Sequence, residues 1–118
     1  MKISFKFNML LASMVTALVL SSNAFAAVDE EAAKALAQQN NCFKCHAINK
    51  DKDGPAYHKV AEKYKGKPEA LDKLVNHVTS GEKAKFPDGH EEEHKIIKTS
   101  PPKDMAQIKN LIQWILSQ

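Results

Sequence analysis

Apolar positions fall into two unlike arrangements along this chain. From Met9 to Leu20 they run almost unbroken, interrupted only by Ser13 and Thr16. Beyond Ala26 they recur at spacings of three and four, the period of a helix with one buried face. Ala32, Ala33, Leu36 and Ala37 make such a stripe from Asp29 to Asn40, with Asp29-Glu30-Glu31 at the end where a helix dipole favours negative charge. Tyr57, Val60, Ala61 and Tyr64 make a second from Ala56 to Tyr64, broken by Lys65-Gly66-Lys67. Leu71, Leu74, Val75 and Val78 make a third, entered at Pro68, where a missing N–H costs least, and closed by Ser80-Gly81. Ile108, Leu111, Ile112 and Ile115 make the last, flanked by Trp114. Asp104 is expected to cap it, with Gln107 at the reciprocal capping-box position.

The stretch from Glu82 to Pro102 is the least regular, with Pro87-Asp88-Gly89 inside it and Pro101-Pro102 at its end. Its spacing admits a short helix over His90 to Ile97. No strand pattern of any length, internal repeat or low-complexity tract is seen. The reading is an all-α chain of about four to five helices.

The apolar run near the start reads as a leader. Lys2 and Lys6 precede it, and Ala24-Phe25-Ala26 follows as a small-residue cleavage pattern. The run is shorter than the ~20 residues that cross a bilayer. The expected division is a Sec-type signal peptide over 1–26, cleaved, and one small domain over 27–118, exported to the periplasm and without a membrane anchor. A domain of this size has only a modest core of its own.

All 17 basic residues are Lys. Without Lys2 and Lys6 the chain is close to neutral, which argues against nucleic acid, as does the lack of Arg forks. Lys44, Lys50, Lys52, Lys59, Lys63, Lys65 and Lys67 nevertheless cluster, and Asp29 to Glu31 and Glu91 to Glu93 form acidic runs. These runs read as solvated surface or, for the lysines, as a docking face for an acidic redox partner.

The chemistry is concentrated in Cys42-Phe43-Lys44-Cys45-His46, a CxxCH sequence that points to covalent haem attachment. Two thiols at this spacing can add to the two vinyl groups on one edge of a haem. His46 then supplies the proximal iron ligand. A redox CxxC would be expected near a βαβ pattern, and a structural zinc would need further Cys or His ligands at short spacing. Neither is found. Both cysteines are committed to the motif, and no third exists for a disulfide. One covalent haem c with its iron would also supply much of the missing core, so the haem-free chain is expected to fold poorly.

With these residues in place the chain resembles the bacterial class I c-type cytochromes, small monohaem electron carriers. The resemblance rests on the Ala-rich helix leading into CxxCH, on Gly54-Pro55-Ala56-Tyr57 with Val60-Ala61 and Tyr64, and on the closing Leu111-Ile112-Gln113-Trp114-Ile115-Leu116. It implies first and last helices that cross, with the others wrapped around the haem. It also implies that the Pro55 carbonyl accepts a hydrogen bond from the proximal imidazole, which would fix the ring and tune the iron. Taken alone, Pro55 is a helix-start proline.

In one respect the chain departs from this class. The class usually places a Met ligand just before a Pro pair in the loop leading to the last helix. Here Thr99 and Ser100 precede Pro101-Pro102. Met105 lies in the first turn of the last helix, at a spacing that suits core or helix surface, and is a weaker candidate ligand. His94, followed by Ile96 and Ile97, is the leading candidate for the distal position, and His90 is the alternative. An open iron or another donor such as a Lys also stays in view. His58 and His77 sit among polar neighbours on helices and read as surface residues.

The function implied is single-electron transfer between redox partner proteins by a monomeric carrier. His/His ligation would give it a lower potential than the Met-ligated members. The alternative is a haem protein that binds or senses oxygen or nitric oxide at an open or labile distal site. Enzymatic activity is not expected, because no acid–base group is placed beside a substrate cavity.

Overall fold

The computed structural model describes residues 27–118; the leader expected over 1–26 lies outside them. Four helices carry the domain: α1 (Glu30–Gln39), α2 (Tyr57–Tyr64), α3 (Ala70–Ser80) and α4 (Met105–Leu116). Between α1 and α2 lies a single 3-10 turn, Cys42–Lys44.

The core forms where α1 meets α4. Ala33 and Ala37 are fully buried, and their small side chains let the two helix backbones approach closely. Leu36 from α1 joins Leu111, Ile112, Trp114 and Ile115 from α4 and Tyr57 from α2 in one apolar cluster. Each large side chain buried there contributes about 1.5–3 kcal/mol. Asp29 caps α1 by accepting the Ala32 N–H at 3.0 Å, and Asn110 of α4 grips the Asp29 backbone with two bonds of 2.8 Å. Asp104 caps α4, accepting the Gln107 N–H at 3.1 Å. The reciprocal half of the expected capping box is not formed. Thr99 Oγ1 takes the Asp104 N–H instead, and the Gln107 amide turns to the Asp104 carboxylate and the Ser100 carbonyl.

Helix α3 begins at Ala70 rather than at Pro68, which lies in the preceding turn. It ends at Gly81, whose φ of 72° is the left-handed conformation that glycine adopts freely. A strand pair follows where no strand was expected, and its second strand replaces the start of the short helix expected over His90 to Ile97. Strands β1 (Lys83–Lys85) and β2 (Glu91–Glu93) form an antiparallel hairpin. Phe86-Pro87-Asp88-Gly89 makes the turn, with Gly89 at φ 93°. Lys83 pairs with Glu93 and Lys85 with Glu91, so opposite charges face each other across the ladder. Both strands are largely exposed, so no apolar alternation marks them. Among the described residues no helix is long and apolar enough to cross a membrane.

Candidate haem site

The 3-10 turn at Cys42 folds the CxxCH stretch so that its chemistry faces one way. The Cys42 carbonyl accepts both the Cys45 N–H at 3.2 Å and the His46 N–H at 3.0 Å. Cys42, Cys45 and His46 all line one cavity of about 1160 Å³. Phe43 turns the other way, edge-on to Tyr57 and Trp114 with centroids 6.1 and 6.5 Å away. Both thiols are free and half-buried. Burial pushes the Cys42 thiol up from its ordinary range.

His46 is held on three sides. Its Nδ1–H donates to the Pro55 carbonyl at 2.7 Å, which leaves the Nε2 lone pair for a metal. Tyr57 stacks on the ring at 5.1 Å and 21°. Gly54 closes the third side, where an added Cβ would lie within 3 Å of Nδ1, Cε1 and Nε2. Burial lowers the imidazole pKa against the opposing pull of the Pro55 carbonyl, favouring the neutral form that ligates metals.

Across the cavity stands His94. The Glu82 carbonyl accepts its backbone N–H at 3.0 Å, and its Nδ1–H donates to the Lys95 carbonyl at 3.0 Å. Burial first, and His77 second, lower its pKa. The His46 and His94 rings lie 6.3 Å apart, centroid to centroid, at 46°. Two imidazoles bound to one metal ion at about 2.0–2.1 Å put their centroids roughly 6 Å apart. Val60, Leu74, Val78, Leu111, Ile112 and Ile115 give the cavity apolar walls. Two free thiols, an imidazole with a free Nε2, an apolar chamber of this volume and a facing imidazole fit a haem.

A family model described as Cytochrome c matches residues 30–118. The chain belongs to the cytochrome c family. Cytochrome c-552 of Hydrogenobacter thermophilus is 36% identical over 84 residues, 70% of this chain and 76% of that protein. Cytochrome c-551 of Allochromatium vinosum is 34% identical over 87 residues, 69% of this chain and 80% of that protein. The crystal structure of the class 1 cytochrome MtoD from Sideroxydans lithotrophicus ES-1 is 66% identical, with a TM-score of 0.71 over 77% of this chain and 97% of that one. Nitrosomonas europaea cytochrome c552 is 27% identical with a TM-score of 0.56, over 71% of this chain and 96% of that one. The protein is thus a monohaem class I c-type cytochrome, an electron-transfer protein with one covalently bound haem c and its iron, and it works with redox partner proteins.

Not every candidate iron ligand of this cytochrome reaches the cavity. His90 sits at the exposed hairpin tip, stacked on Phe86 at 4.4 Å. Its Nδ1 pairs with Asp88 and its Nε2 with Glu92 at 3.1 Å, so carboxylates occupy both ring nitrogens. Met105 is exposed in the first turn of α4, and neither residue lines the cavity. His58 is exposed, as expected, between Gln118 and Glu62. His77 departs from its surface reading: it lines the cavity, with its ring 4.3 Å from that of His94. Its spacing of three from Leu74 and its place beside Val78 put it at the edge of the α3 stripe, a signal that its polar neighbours mask.

Asn40 also does more than end α1. Buried to 5% exposure, its Nδ2 donates to the Lys98 carbonyl at 2.9 Å and its Oδ1 accepts the Lys98 N–H at 2.8 Å. This ties the distal chain to the helix that leads into the haem motif.

Proposed function

We propose that this cytochrome carries single electrons in the periplasm with His46 and His94 as the two iron ligands and Cys42 and Cys45 as the haem thioethers. The observation that carries the proposal is the 6.3 Å spacing of the two rings, each with its Nδ1 held by a backbone carbonyl. The bound haem supplies an iron that accepts one electron from a reduced donor and passes it to an oxidised acceptor. The chain holds both imidazoles in one tautomer and one place, so little rearranges when the charge changes. Pro55 supplies the carbonyl that fixes the proximal ring.

A second imidazole in place of a thioether favours the ferric state, so the potential lies below that of the Met-ligated members. The lysines at 44, 50, 52, 59, 63, 65 and 67 are all exposed, and Lys59 and Lys63 border the cavity. They form a docking face for an acidic partner, whose capture slows as salt screens it. Cleavage after Ala26 would leave residues 27–118 as the haem-bearing domain. The test is the visible spectrum of the pure protein in both oxidation states, with and without carbon monoxide. Low-spin six-coordinate spectra that the gas leaves unchanged, with a midpoint below the Met-ligated range, are expected. A high-spin ferrous form that binds carbon monoxide would overturn the carrier in favour of a gas-binding protein.

A further inference from the structure

The distal wall carries an imidazole that this ligand set leaves unused. His77, in the last turn of α3, packs its ring against His94, tilted by 45°. Its Nδ1 lies 2.6 Å from Glu82 Oε1, and Asn76 Nδ2 donates to Glu82 Oε2 at 3.1 Å. The Glu82 backbone carbonyl accepts the His94 N–H. One residue therefore holds His94 twice: directly through the backbone, and indirectly through the ring that its carboxylate anchors. The geometry is confined, because Gly81 turns the chain between α3 and Glu82. Among the described residues the ring neighbours of His46 are Tyr57 and His94, whereas His77 pairs with His94. His77 is thus placed against His94, through which it can act on an iron held there.

We infer that His77, anchored by Glu82, is a positioning residue that fixes the ring plane of His94 and slows its departure from the iron. The inference rests on His94 being the distal ligand. To leave the iron, His94 must swing past a neighbouring ring that a short carboxylate bond holds still. Partners outside the ligand set commonly act on a metal site in this way.

The experiment mixes the ferric, haem-loaded protein with excess cyanide, which binds once the distal ligand has left. At saturating cyanide the observed rate is the departure rate. His77→Ala is expected to raise it between about ten- and a hundredfold, the range seen when outer partners of metal-bound His are removed. Glu82→Gln is expected to raise it by a smaller factor, and His77→Phe, which keeps a flat ring, to stay nearer the parent. All three variants stay low-spin. The g-anisotropy of the ferric electron paramagnetic resonance spectrum reports the angle between the imidazole planes. It is expected to shift or broaden in His77→Ala, a change that general loss of stability does not produce.

Unchanged rates and g-values in His77→Ala and Glu82→Gln overturn the proposal. His94→Ala separates the two readings. A high-spin His94→Ala protein together with an unaltered His77→Ala rate rejects the role of His77 and retains His94 as ligand. A low-spin His94→Ala protein together with a high-spin His77→Ala protein makes His77 the ligand and rejects both.

Discussion

The proximal and distal walls of the cavity are built by different means. The proximal wall is one contiguous stretch, 42–57, folded on itself and resting on the core. Gly54 N–H bonds Cys45 O at 2.7 Å, Tyr57 N–H bonds Ala47 O at 2.9 Å, and Tyr57 is buried edge-on to Trp114. The distal wall is assembled from the end of α3, a hairpin and the irregular segment leading to Lys98. Its ties are scattered: His94 to Glu82, Ile97 N–H to Val78 O at 2.9 Å, and Lys98 to Asn40. The proximal wall carries the motif, whose three reactive groups need one fixed geometry. The distal wall is tied together by residues distant in sequence, and it brings the His94 imidazole to the cavity.

If the proximal wall depends on the core, Trp114→Ala should have the largest effect. It is expected to cost about 3–5 kcal/mol, the range for large aromatic truncations in a core. Denaturant unfolding of the haem-loaded protein measures this. Gly54→Ala comes next. Its Cβ must push the His46 ring, so the site is overpacked by about 1–3 kcal/mol and the low-spin spectrum should weaken. Gly89→Ala is the distal control: it meets open space at the hairpin tip, pays only the left-handed backbone cost, and leaves the spectrum unaltered.

Asn40→Ala should cost about 1–2 kcal/mol, because it strips the Lys98 backbone of its buried partner. Cyanide capture should quicken with it if the distal wall leans on Asn40. The smallest effect concerns the hairpin tip. Pairing with Asp88, and then with Glu92, raises the His90 pKa above its ordinary value of 6.5. The stabilisation is therefore full below pH 6.5 and fades as pH rises through the raised folded value. Hydrogen exchange at the Phe86 and Gly89 amides, corrected for its intrinsic pH dependence, should accelerate over that window, and His90→Gln should remove the pH step.

The same contrast explains how much could be read from the chain. The helix stripes are legible because each helix buries one face on the core, and Cys42 to His46 is legible because its chemistry is contiguous. The hairpin is not, since three-residue exposed strands show no apolar alternation. Their only signal is Lys-x-Lys facing Glu-x-Glu across Pro87-Asp88-Gly89. His94 could be ranked ahead of His90 because Ile96 and Ile97 follow it, but its approach to His46 could not be read, because it depends on how β2 leaves the hairpin. His77 and Asn40 were hidden for a related reason: their partners, Glu82 and Lys98, become neighbours only when the distal chain closes over α3 and α1.

The most direct test of the two-imidazole site is the ferric visible spectrum of the haem-loaded His94→Ala protein. A high-spin iron that returns to low-spin when imidazole is added is expected. A low-spin spectrum indistinguishable from the parent, with or without imidazole, would contradict it.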